Sequence, residues 1–323
     1  ATLSEDSFAR TRGMVPASAA AALKQLRAQW RMADTSCDKD ALLDTFPEGL
    51  FRAIREAAGR LAEHFGAHPQ QAKGPLQELF FEILQFARLA ESFDEKSVLD
   101  FAPAANGAKQ VALRNLIPAN FLGPRFAAAR SAVCFSGTLS PFEFYRDTLG
   151  LPADTAMVDI ASPFCASQLQ VRLARNLSTR LQDRPQSLAG LLQVMATQFE
   201  QRPGNYLAFF SSFEYMEMAA AELYRRHPGI AQWSQKRNMA ADEREGFIAR
   251  FEPTGCGIGF AVLGGIFGEG VDLPGKRLVG AFVATLGLPQ HDALNERMRQ
   301  RMQERFGDGY AYTYLYPGIR KVV

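Results

Sequence analysis

The chain has 323 residues, with 36 Lys plus Arg against 34 Asp plus Glu and a formal charge of +2. Hydrophobic residues make up 47% and charged residues 22%, the balance of an ordinary globular protein, which excludes a disordered tail, a collagen repeat and a disulfide-stapled miniprotein. No stretch approaches the roughly 18 consecutive apolar residues that a membrane span needs, and near-neutral charge excludes a generally basic nucleic-acid coat while allowing one confined positive groove. At roughly 150 residues per domain the length predicts two domains.

The first hundred residues read as helices. A run from Ala17 to Trp30 comes first, and Leu50, Ile54, Leu61 and Phe65 make a second apolar face. Leu76, Leu79, Phe80, Ile83, Leu84, Ala87 and Ala90 recur at three- and four-residue steps, one face of a 3.6-residue period. Asp44 to Pro47 and Gly66 to Gly74 punctuate these runs. The expectation is a small all-helical module without a catalytic constellation.

After Pro103–Lys109 the texture changes. Ala132–Phe135, Tyr206–Phe210, Ile258–Leu263 and Leu278–Leu286 are short continuous apolar runs, each bounded by small residues and several separated by helical patterns such as Phe213–Arg226. Runs of that kind predict strands of a parallel sheet with helices on both faces, and ligands on such sheets bind at the carboxyl ends of the strands. Near the end, Leu294, Met298, Met302 and Phe306 form an apolar stripe expected to pack on the sheet. Arg297, Arg301 and Arg305 lie beside it, either as a solvated face or as a track for strand phosphates. Tyr310, Tyr312, Tyr314 and Tyr316 alternate, which predicts a strand with one aromatic face.

The four cysteines, Cys37, Cys134, Cys165 and Cys256, are dispersed with no CxxC pair, so free thiols in a reducing compartment are expected. His64 and His68 stand four apart but lack an acidic third ligand in register. The segment from Gly270 to Lys276 matches the first seven positions of GxxxxGK[ST], the phosphate-cradling loop. Arg277 stands where the magnesium-holding hydroxyl belongs, and Pro274 offers no amide to phosphate. The match reads as a decoy.

Three motifs in order are more specific: FSGTLSP at Phe135–Pro141 followed by FYRDTLGL at Phe144–Leu151, then FFSSFEYM at Phe209–Met216, then GEGVDLPG at Gly268–Gly275. Together they resemble motifs III, IV and V of the XPD/DinG-type superfamily 2 DNA helicases. The resemblance runs from about Val111 to the last residue, and Leu76–Asp100 is similar, less specifically, to the helical insert of DinG-like enzymes. It implies an α/β fold, a RecA-like parallel sheet with helices on both faces, preceded by an all-helical insert. The expected division is residues 1–108 as an Arch-like insert, 109–155 as the closing strand of motor domain 1 with motif III and a hinge, and 156–323 as motor domain 2. The family's phosphate loop, DEAH box and iron–sulfur cysteines are not in this sequence, and YPGIRKVV stops before its final arginine-finger motif. A piece of a longer protein is therefore expected, inactive by itself.

The resemblance also implies partners and site residues. The parent would hydrolyse ATP with Mg2+ between two RecA-like lobes and move 5′ to 3′ on single-stranded DNA, with an iron–sulfur cluster possible upstream and no cofactor in this chain. A monomer in the bacterial cytoplasm, serving DNA repair and binding no membrane, is expected. Ser136, Gly137, Thr138, Glu269, Gly270 and Asp272 would couple the nucleotide to the strand. Ser211, Ser212, Gly264 and Gly265, with Arg297, Arg301 and Arg305, would contact DNA. Ser211 and Ser212 suit phosphate donation and equally suit a helix N-cap. Two rivals remain: a non-catalytic single-stranded nucleic-acid-binding module, and an unrelated P-loop NTPase.

Overall fold

The computed structural model describes residues 1–36, 41–104 and 107–322. The chain divides into two units, one of Ala1–Phe135, Ser140–Thr155 and Gln290–Tyr310, the other of Ser136–Leu139, Ala156–Pro289 and Ala311–Val323.

The first unit opens with β1 (Thr2–Ser4) and α1 (Glu5–Arg10), followed by α2 (Ala17–Thr35), β2 (Leu42–Leu43), α3 (Glu48–Ala67), α4 (Pro75–Ala90), β3 (Ser97–Asp100) and β4 (Gln110–Asn115). α5 (Ala119–Ala128) closes its first segment and α6 (Phe142–Leu149) lies in its second. The predicted helical faces are the buried ones: Leu50, Ile54, Leu61 and Phe65 on α3, and Leu76, Leu79, Ile83, Ala87 and Ala90 on α4. They share one core with Leu23, Leu26 and Trp30 of α2, and Trp30 lies 6.0 Å from the Phe8 ring. Pro75 opens α4 at its first turn, where its missing amide costs nothing.

The all-helical expectation needs correction here. Four strands pair antiparallel in the order β1-β4-β3-β2, with Thr2–Ser4 on Gln110–Ala112 and Leu99 opposite Leu113. Residues 110–115 therefore pair with strands from 1–108, and no structural break falls at 108/109. Strands of two to six residues joined across most of the unit leave no local periodicity to read. The expected strand at Ala132–Phe135 is absent as well: these residues are exposed and have no ladder, with Phe135 at 88%. An apolar run without a partner strand leaves its amides unpaired and does not become a strand.

The second unit contains α7 (Arg184–Gln201), β5 (Asn205–Phe210), α8 (Phe213–Arg226), β6 (Gln232–Ser234), α9 (Ala241–Ala249), β7 (Gly257–Val262) and β8 (Gly280–Val283). All strand pairs are parallel, in the order β6-β7-β5-β8. Side chains alternate across the sheet as strand geometry requires. Tyr206, Ala208, Phe210, Ile258 and Phe260 join α7 and α8 on one face. Leu207 and Ala261 join Phe247 of α9, Phe251 and Phe267 on the other. Gly259 points to that second face. A Cβ there would lie 2.7 Å from the Phe251 ring and 3.0 Å from the Trp233 indole, so the aromatic cluster occupies the space the glycine leaves.

After β8 the chain forms α10 (Ala293–Phe306), capped by Asp292 and ended at Gly307, and α11 (Tyr316–Ile319). α10 belongs to the first unit rather than to the parallel sheet, and Met302 is its one buried residue. The alternating tyrosines are not a strand: Ala311–Leu315 is a helical turn with Ala311, Tyr312, Thr313 and Tyr314 all buried. A turn enclosed on every side buries successive residues, which the two-residue period cannot show.

Candidate nucleic-acid and nucleotide interface

The chain leaves β5 into α8 on one face of the sheet and leaves β7 into a loop anchored by Phe267 on the other. Adjacent parallel strands with opposite departures open a crevice at their carboxyl ends. Two of the predicted motif segments, FFSS at the end of β5 and the glycine loop after β7, begin there.

At the end of β5, Ser212 caps α8, its hydroxyl accepting from the Tyr215 amide at 3.2 Å. Ser211 is held differently. Arg184 Nη2 donates to its hydroxyl at 3.0 Å, donates through Nε to the Thr179 carbonyl at 3.2 Å, and lies 4.3 Å from the centroid of the Tyr215 ring. Burial pushes the Tyr215 phenol up from its ordinary range, against the nearby Arg184 charge. Arg237 covers the Phe213 ring and donates to Glu214, whose carboxyl is held down first by its backbone hydrogen bond and then by Arg237 and Ser212.

At the end of β7, Gln235 is buried beside the glycines: it donates from its backbone to Phe260 and accepts the Val262 amide on Oε1 at 3.0 Å. Gly264 has φ +74°, and turns close from Gly265 N–H to Val262 and from Gly268 N–H to Gly265. Phe267 fixes the loop by stacking on Phe247 at 4.1 Å. Glu269, Gly270 and Asp272 are exposed on it. At the end of β8, the Gly287 carbonyl accepts from Lys321 Nζ at 2.6 Å.

Ser136 and Thr138 form their own small turn, hydroxyl to hydroxyl at 3.2 Å, with Gly137 exposed between them. The arginine face departs from expectation. Arg297 and Arg301, whose side chains are 17% and 24% exposed, pair with Asp44 of the first unit, and Arg301 also reaches Glu304. Only Arg305 of the three is exposed. A carboxylate from a distant part of the sequence neutralises a stripe that helical spacing alone assigns to solvent or phosphate. Sequence reasoning missed Gln235, Arg184 and Lys321 altogether. Only the QWS run before Gln235, placed between two strand patterns, carried a signal that could have been read.

The GxxxxGK segment is no phosphate cradle. Gly275–Arg277 forms a single 3-10 turn leading to β8, with Arg277 Nε donating to the Phe251 carbonyl, so no helix N-terminus faces it. Among the described residues no three His, Cys, Asp or Glu side chains group to hold a metal ion. Cys134, Cys165 and Cys256 are free and exposed, and Cys37 lies outside the described residues. His64 stacks on His68 and contacts Gln71.

Residues 195–323 match the family described as Helicase C-terminal domain. A probable ATP-dependent helicase of Methanocaldococcus jannaschii is 26% identical over 181 residues, covering 53% of this chain and 26% of that protein. Among solved structures, an XPD in its apo form is 13% identical with TM-score 0.58, covering 99% of this chain and 64% of that one. The Xpd4 of S. tokodaii is 15% identical with TM-score 0.55, covering 99% and 62%. The chain thus spans about a quarter of the curated relative and under two thirds of the matched structures. Its fold is similar to that of these XPD structures, and residues 195–323 are similar to helicase C-terminal domains. Residues 195–323 and the fold of the chain are thus similar to the C-terminal region of XPD/DinG-type superfamily 2 helicases. Among the described residues no helix is long and apolar enough to cross a membrane.

Proposed function

We propose that this chain supplies the second RecA-like lobe, with an accompanying insert, of an ATP-dependent DNA helicase that translocates 5′ to 3′ on single-stranded DNA. The observation carrying this reading is the gathering of Ser211, Ser212, Gly264 and Gly265 at one carboxyl edge of a parallel sheet inside a helicase C-terminal domain. Hydroxyls and close-approaching glycine backbone suit a phosphodiester chain, which they hold without reading its sequence. Glu269 and Asp272 would repel phosphate directly, so their part is with ribose or with an arginine of the coupling network. Ser136 and Thr138 would relay the nucleotide state. In phosphoryl transfer positioning and charge stabilisation do nearly all the work. The sequence holds neither a phosphate-cradling loop nor a DEAH box, so the chain by itself is expected to bind a single strand and hydrolyse no ATP.

Fluorescence anisotropy with a labelled oligonucleotide, paired with a steady-state ATPase assay, tests this. Strand binding without turnover is the expected result. Turnover that depends on Lys276 would replace the reading with a P-loop NTPase, and absence of strand binding would remove it.

A further inference from the structure

We infer that Lys321 is a phosphate-contacting cation of the carboxyl-edge crevice, held ready between the loops that follow β7 and β8. Its stem lies against two glycines: a Cβ at Gly264 would stand 3.1 Å from Lys321 Cδ, and one at Gly287 would stand 2.9 Å from the same atom. Its ammonium donates to the Gly287 carbonyl at 2.6 Å. β5 lies between β7 and β8 in the sheet, so the end of β5, where Ser211 and Ser212 begin, is flanked by the strands that lead into the two loops Lys321 touches.

Three features make this a ligand group rather than a packing accident. First, the lysine is positioned. A surface lysine ordinarily keeps its rotamer freedom, and fixing one costs side-chain entropy that the surrounding contacts must offset. Second, the ammonium has three donors and the carbonyl takes one. The residue is exposed on its outer side, so the others face outward. Third, the charge is uncompensated: among the described residues no carboxylate pairs with it, and Arg320 beside it adds a second positive charge. Partial burial, and then Arg320, lower the Lys321 pKa, so the folded protein disfavours the cation and an arriving anion would relieve it. The anion chemistry that fits a point-charge ammonium beside hydroxyls and glycine amides is a phosphate oxygen, from a strand phosphodiester or from a nucleotide.

The assignment rests on the strand-binding reading for its ligand, and the test separates the two. Lys321→Met keeps the apolar stem between the glycines and removes the charge, whereas Lys321→Arg keeps the charge. Each is titrated with a labelled single-stranded oligonucleotide at several salt concentrations, and separately with ATP and Mg2+, after a thermal melt. If the phosphodiester is the ligand, Lys321→Met weakens oligonucleotide binding roughly tenfold, the effect of one lost hydrogen bond to a charged group. The salt slope flattens by about 0.7, one phosphate's share on a single strand. If the nucleotide is the ligand, the loss falls on ATP instead. In both cases Lys321→Arg retains binding. If the Met variant melts early, Lys321→Gln is compared with Lys321→Arg at a temperature where both are folded. Wild-type binding that Lys321→Met leaves unchanged overturns the inference and spares the strand-binding reading. A wild-type chain that binds neither probe overturns both.

Discussion

The two units use the same residue types to opposite ends. In the first, three long helices bury apolar faces in one core with Trp30 and Phe86, and the charged side chains settle accounts internally, as Arg297 and Arg301 do on Asp44. In the second, the sheet is covered on both faces, yet its carboxyl edge is left to glycines, serine hydroxyls and a lysine that no carboxylate pairs with among the described residues. The lesson is that spacing along a helix does not say whether arginines are already paired, whereas strand-end composition shows where backbone is left bare. Ion pairs find partners wherever the fold brings them, whereas an edge without side chains serves close approach of something else.

That contrast can be broken at its strongest point first. Phe260 is fully buried between the strands and α8, stacking on Phe210 at 5.7 Å. Phe260→Ala should cost about 3–5 kcal/mol, seen by denaturant unfolding as loss of the second unit and of strand binding together. Retained strand binding after the second unit has melted would put the interface in the first. Ser212→Ala removes the α8 cap and should cost about 1 kcal/mol. Strand affinity that falls further than this loss of folding explains would give Ser212 a direct phosphate contact besides.

A smaller effect decides the arginines. Asp44→Ala should lower stability by less than about 1 kcal/mol, since these pairs keep partial solvent access. Strand affinity and its salt slope should not change. If freeing Arg297 and Arg301 instead tightens oligonucleotide binding and steepens the slope, the stripe tracks phosphates after all. The smallest effect is in acid. Hydrogen bonds from Arg225, then Arg226, pull the Glu222 carboxyl down to about 2. A lowered carboxyl contributes stability above its ordinary range near 4.5, and the contribution fades as pH falls towards about 2. Glu222→Gln should therefore narrow the gap to wild type across that window in a pH series of thermal melts.

Much of this was readable in the sequence. The α3 and α4 faces showed because a long amphipathic helix repeats its signal over several turns, and β5 and β7 showed because a strand buried on both sides is apolar throughout, while the edge strand β8 showed as an apolar run although it is half exposed. β2 and β6, at two and three residues, are too short to carry any period. The antiparallel pairing of β1 with β4 joins residues about a hundred positions apart, which local pattern does not encode. The glycine loop of the candidate site was legible as composition. Its supports were not: Gln235 and Arg184 are ordinary polar residues until the fold sets one against Val262 and the other against Ser211.

The notch at Gly259 has one practical consequence. It seats Trp233 against Phe251, with ring centroids 4.9 Å apart, while the chain's other tryptophan, Trp30, sits in the helical core. Each unit thus owns one tryptophan. Trp30→Phe and Trp233→Phe would give two single-colour versions of the protein, in which emission follows the melting of one unit without interference from the other.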